Sequence, residues 1–215
     1  MDLDNNIQKY LARRTPDARY ASFDYCFNYF QSFRKTGVRS LVSPANIQMS
    51  CLQLGFYLAS WGMLRGSAVL LQQSARSLIP VLDVVARTET ALWDIDAHCY
   101  TESNIDRLME LRDRIRGDRP NMSDILVTKI MLGVFGNVPA FDAYFKRGLG
   151  VWTFGRQALR KIGAFYEKNS PQIDGYRIRT LDFSGKPTQR NYPRAKIIDM
   201  AFFIEGQPSK TRVAP

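Results

Sequence analysis

Apolar residues recur three and four positions apart through most of the chain, the spacing that keeps them on one face of a helix. Leu3, Ile7, Tyr10 and Leu11 predict a short amphipathic helix over residues 3–14, closed by the Thr15-Pro16-Asp17 turn. Tyr20, Phe23, Phe27 and Phe30 predict a second over 18–35, stopped by Gly37. The third, opened by Ser43 and Pro44 and running to about Leu64, is apolar on nearly every side, a pattern that places a helix in the middle of a fold. Residues 67–86 continue the helical pattern, with Pro80 either kinking a helix or starting a new one. Ile105, Leu108, Leu111 and Ile115 form the stripe of a helix capped by Ser103, with Asp106 at its third position. Gly117 to Pro120 then turn the chain.

Residues 123–150 carry the sharpest punctuation. Ser123 is an N-cap signal, Gly136 a helix stop, and Pro139 with Asp142 opens a further helix that ends at Gly150. Thr153 heads another helix over 154–169, and Pro193 opens the last one. Pro, Gly, Ser and charged residues fill 170–192, which predicts a surface loop or a small hairpin with a short strand at 176–181. Residues 207–215 read as a flexible tail. The chain is thus expected to be all-α, a single compact domain over 1–215 with roughly eight helices and a short hairpin near 176–190.

Charge narrows the classes of partner. Lys and Arg number 30 against 20 Asp and Glu, a net charge of +10 that favours nucleic acid, anionic lipid or an acidic protein, or serves solubility alone. The densest basic stretch holds Lys146, Arg147, Arg156, Arg160 and Lys161, the residues expected to meet phosphate. Seven aromatics between Tyr20 and Phe33 read as core packing, because they fall on one stripe; a base-stacking surface needs exposed rings beside basic groups.

Cys26, Cys51 and Cys99 are odd in number and set in apolar sequence, which predicts buried free thiols and a cytoplasmic, reducing environment. Asp94, Asp96, Glu89 and the single histidine, His98, crowd together, yet helix-end acids beside an incidental histidine explain them without a metal. No cofactor motif occurs: a G-x-G-x-x-G, a P-loop and a G-x-S-x-G elbow are all missing from the sequence. The N-terminal residues carry acids and no apolar core, so a signal peptide is not expected. Cys51 to Leu64 falls short of the roughly 20 apolar residues that span a bilayer, and no membrane segment is expected.

The stretch ILVTKIMLGVFGNVPAFDAYFKRGLG, residues 125–150, resembles the later half of the helix-hairpin-helix module of DNA glycosylases. The matching residues are Pro139, Asp142, Phe145, Lys146 or Arg147, Leu149 and Gly150. The resemblance implies a DNA partner and places Asp142 as the carboxylate facing the sugar of an extruded nucleotide, where a fixed anion stabilises developing positive charge. It also implies Lys129 as a nucleophile or phosphate contact. The preceding residues GDRPNMSD lack the family's Gly-x-Gly, and Pro139 stands one residue further from Asp142 than in the family pattern. The expected function is a nucleic-acid-binding helical protein, in its enzymatic form a glycosylase-like hydrolase or lyase. A nonenzymatic DNA- or RNA-binding module and a helical protein-interaction partner, including a homo-oligomer, are the alternatives.

Overall fold

A computed structural model describes residues 1–66, 68–119 and 122–208. Among them are ten α-helices: α1 (Leu3–Leu11), α2 (Ser22–Thr36), α3 (Ile47–Ser60), α4 (Ile79–Ala86), α5 (Thr90–Trp93), α6 (Glu102–Arg116), α7 (Asp124–Phe135), α8 (Ala143–Leu149), α9 (Arg156–Gly175) and α10 (Arg194–Glu205). One antiparallel hairpin, β1 (Arg179–Leu181) with β2 (Pro187–Asn191), precedes α10. The expected tail lies outside the described residues from 209 onward, as does the Pro120 end of the turn after α6. No described helix is long and apolar enough to cross a membrane.

Two helices form the centre. Every residue of α7 from Leu126 to Phe135 is buried, and so is every residue of α10 from Ala195 to Ile204. Helix α10 packs on α1, α8 and α9, whereas α7 packs on α2, α3 and α6. A single cluster of buried apolar side chains joins these layers, from Leu3 at one end of the sequence to Ile204 at the other. Of the seven aromatics expected there, Tyr20, Phe23, Phe27 and Phe30 go into it and Tyr29 and Phe33 pack against it, whereas Tyr25 lies outside it; Phe23 and Phe27 stack at 5.1 Å, and Tyr192 meets Phe23 edge-on.

Several local expectations shift. Ser43 does not cap α3 with its side chain; its carbonyl accepts from Asn46 and Ile47, so Pro44–Asn46 form a turn and the helix begins later. Thr101, not Ser103, caps α6, its hydroxyl accepting from the Asn104 amide at 3.2 Å. The region before Pro80 is two 3₁₀ turns, Val69–Gln72 and Ala75–Leu78, and Pro80 sits in the first turn of α4, where its missing N–H costs nothing. Gly155 rather than Thr153 stands at the head of α9.

That helix also overruns the expected loop, continuing through Pro171 to Gly175. It does so by kinking at Asn169, whose φ of −121° and ψ of 16° are not helical, while the Asn169 side chain donates to the Phe165 carbonyl at 2.7 Å. Cys26 and Cys51 are buried, but Cys99 is only half-buried. The largest departure concerns α3. Its outer face leaves Met49, Leu52 and Phe56 exposed, so the all-round apolar helix lies at the edge of the fold rather than in its middle.

The hairpin is fastened to the body by buried polar groups. Asp24, inaccessible to solvent, accepts from the Leu181 amide at 2.9 Å, from Arg14 at 3.0 Å and from the Tyr192 hydroxyl. Asn28 donates to the Leu181 carbonyl at 2.9 Å, and Arg190 donates back to the Asn28 carbonyl at 3.2 Å. A carboxylate with three donors can remain in a core where an unpaired one would be costly.

Candidate functional site

Helix α7 begins at Ser123, whose hydroxyl accepts from Leu126, and ends where Gly136 adopts the left-handed region at φ 72°. A Cβ at Gly136 would stand 2.7 Å from Pro193 and 2.8 Å from the Phe27 ring, so only glycine fits both the φ and the space. The turn from Gly136 to Ala140 is buried throughout. Several of its polar groups are met from within: the Tyr100 hydroxyl donates to the Asn137 backbone carbonyl at 2.6 Å, the Ala140 amide donates to Asp199 at 3.0 Å, and the Phe141 amide donates to the Thr128 hydroxyl at 2.9 Å, whereas the Asn137 side-chain oxygen is buried without a partner. These amides therefore face the core.

Asp142 is the N-cap of α8. Its Oδ1 accepts from the Tyr144 and Phe145 amides, both at 3.0 Å, while Oδ2 accepts no hydrogen bond among the described residues. Burial raises the carboxyl above the ordinary aspartate range, and the Phe145 amide opposes that rise. Lys129, buried on α7, donates to the Trp61 carbonyl at 2.7 Å. Burial lowers its ammonium, against the opposing pull of Asp142 and then Asp199. The fold thus brings Lys129 and Asp142 into one electrostatic neighbourhood without an ion pair between them. Beside it, Lys196 donates to Asp199 at 2.7 Å and to the Tyr10 hydroxyl at 2.9 Å, a second buried cation neutralised locally.

The five expected phosphate contacts divide. Arg160 grips Glu102 through two bonds of 2.7 Å, holding that carboxyl below its usual range, and Arg156 pairs with Asp106. Arg147 donates to the Gly206 carbonyl at 3.2 Å and Lys161 to the Gly150 carbonyl at 3.1 Å, bonds that leave their charge uncompensated. Lys146 has no carboxylate within ion-pair distance among the described residues. Helices α8 and α9 meet at the loop Gly150–Gly155, and there Phe154 turns inward onto Phe141 at 4.9 Å. Trp152, two residues earlier, stays in solvent with 85% of its surface exposed.

Reading the sequence alone overlooks Trp152. Its signal is a lone indole in a glycine-bounded loop between two basic helices. The acidic group near His98 proves structural. Asp96 accepts from the Ala97 and Ala195 amides at 2.7 Å and from Arg194 at 2.8 Å, and Asp94 pairs with Arg34. Among the described residues no three His, Cys, Asp or Glu side chains stand where they could hold a metal.

No protein-family model, no curated protein and no solved structure matches the chain.

Proposed function

We propose that this protein binds single-stranded nucleic acid, DNA in preference, through the corner between α8 and α9. The observation that carries this reading is Trp152, an exposed indole in the loop that joins α8, with Lys146 and Arg147, to α9, whose Lys161 donates to the Gly150 carbonyl at the start of that loop. Unpaired bases stack on such rings with little regard to sequence, each contributing about 1–3 kcal/mol, while cations follow the backbone. Arg156 and Arg160 already hold carboxylates and contribute less. Three phosphate contacts give a slope of roughly −2 in log K against log salt for a single strand.

Fluorescence gives the test, since Trp93 is buried and Trp61 half-buried, leaving Trp152 as the indole a ligand can reach. An oligonucleotide should quench emission and bind more weakly as salt rises, and Trp152→Ala should weaken binding about tenfold or more, consistent with one lost stacking contact. Undiminished affinity in that variant, or affinity indifferent to salt, overturns the reading.

An enzymatic reading, excision of a base from an extruded nucleotide, has one observation in its favour. Asp142 keeps a carboxylate oxygen outside its cap bonds, in the same electrostatic neighbourhood as a lysine whose ammonium is lowered by burial. Incubation with duplexes carrying modified bases, assayed for abasic sites, tests it. Asp142→Asn retains a capping oxygen, so equal activity in that variant removes the carboxylate from the chemistry.

A further inference from the structure

Helix α3 holds no charged residue along IQMSCLQLGFYLAS. Ser50, Cys51, Leu54, Tyr57 and Leu58 face inward. On the other side Met49, Leu52 and Phe56, three and four apart, form an exposed apolar line, with Phe56 71% accessible. Grooves flank this line. One of about 540 Å³ runs toward α2 and the hairpin tip, where Phe183 is 89% exposed and its ring meets Tyr25 at 5.3 Å. The other, about 290 Å³, is walled by Leu64, Leu70 and Leu78. Leu52 and Phe56 line both, which makes them a ridge between two troughs.

Unpaired positive charge borders the ridge. Elsewhere some arginines are held in ion pairs, among them Arg107 with Glu89, Arg116 with Asp124, Arg156 with Asp106 and Arg160 with Glu102. Around α3, Arg19 lines the larger groove, Arg76 borders the N-terminal half of the helix, and Arg65 follows the C-terminal end. None of these three has a carboxylate partner among the described residues. Two acids share the border. Asp17 is exposed, and the Oδ1 of Asp182 already accepts from the Ser184 and Lys186 amides of its own turn.

We infer that the α3 face docks an amphipathic helix of an acidic partner protein. A ridge between troughs is the shape into which a second helix fits its own side-chain rows. The uncharged ridge takes the apolar stripe of that helix, and the three unpaired arginines take carboxylates on its flanks. A second copy of this chain would set the same arginines against one another in a molecule of net charge +10. A nucleic acid would find no phosphate contact along the ridge itself. The inference does not depend on Trp152.

A display library of amphipathic helical peptides, about five turns long and varied in apolar residues and flanking charge, tests it when selected on the full chain. Selected peptides should be rich in Glu and Asp beside an apolar stripe. Phe56→Ser and Leu52→Ser lie on the surface and keep the fold, checked by circular dichroism, and each should weaken a selected peptide at least tenfold. Arg19→Glu with Arg76→Glu should weaken acidic peptides and improve basic ones. Enrichment of basic or uncharged peptides overturns the proposal, as does binding that the ridge variants leave intact. A dimer in sedimentation that Leu52→Ser dissolves, or an oligonucleotide that competes with the peptides for this face, overturns it as well.

Discussion

Helices α3 and α7 read alike in sequence, each apolar around most of its circumference, and the fold treats them oppositely. Helix α7 is enclosed by α2, α3 and α6 and buries even Lys129, whereas α3 has neighbours on one side only and leaves Met49, Leu52 and Phe56 in water. Hydropathy is the same kind of signal in both. It states that a helix surface gains by being covered, and it does not state by what. For α7 the cover is the rest of the chain. For α3 it is absent from half of the helix, and the unpaired arginines around that half point to a partner.

The sharpest way to break this comparison is to truncate one apolar side chain on each helix. Ile130→Ala on α7 removes packing from a wholly buried position and should cost about 2–5 kcal/mol in urea denaturation. Phe56→Ala on α3 should change stability by about 0.5 kcal/mol or less, despite the larger ring, because that ring is already solvated. Similar losses at the two positions would mean that α3 is covered in solution. Next in size is Gly133→Val, which drives a side chain into the Tyr57 ring where α7 crosses α3 and should cost about 1–3 kcal/mol.

Smaller effects sharpen the buried side. Asp142→Ala loses the cap of α8 and should cost about 1 kcal/mol, whereas Asp142→Asn should recover most of it. Those two variants separate a capping role from a chemical one. The smallest effect is pH dependent. Burial raises the folded carboxyl of Asp142 above its unfolded value, near 3.9, so the folded state holds that proton more tightly. The contribution of this group is therefore present at low pH and is lost as pH rises through the folded pKa. Asparagine does not titrate, so Asp142→Asn should gain on the wild type in stability as the pH is raised from about 3.9 towards neutral. A constant difference across that range would place the carboxyl at its ordinary value.

The longer helices were legible from spacing, whereas the four-residue α5 and the 3₁₀ turns before α4 were not, and boundaries were legible only where a residue had one reading. Ser123, Gly136 and Gly150 each had one, and α7 and α8 end accordingly. Ser103 and Thr101 were equally good caps by type, and only the packing of α6 chose between them. The composition of 170–192 read as a loop, but a kink at Asn169 accommodated the ring of Pro171 and let α9 continue to Gly175. At the site the cations were visible from composition and their partners were not. Glu102 lies 58 residues before Arg160, a separation no local pattern reports. Trp152 and the outer face of α3 were hidden for a related reason, since which apolar groups stay in water is decided after the layers assemble.

The pairing of α1 with α10 sets a timetable for synthesis. Asn6 on α1 donates to the Ala201 carbonyl and to Glu205 on α10, contacts 195 and 199 residues away, and Ile7 and Tyr10 are buried in the same seam. At ribosomal speeds α1 emerges roughly ten seconds or more before the helix that covers it. During that interval its apolar stripe has no permanent neighbour, and α8 waits likewise for the same helix. The core therefore closes from its last strip of sequence, and a nascent chain halted before Pro193 is one with its central layer missing.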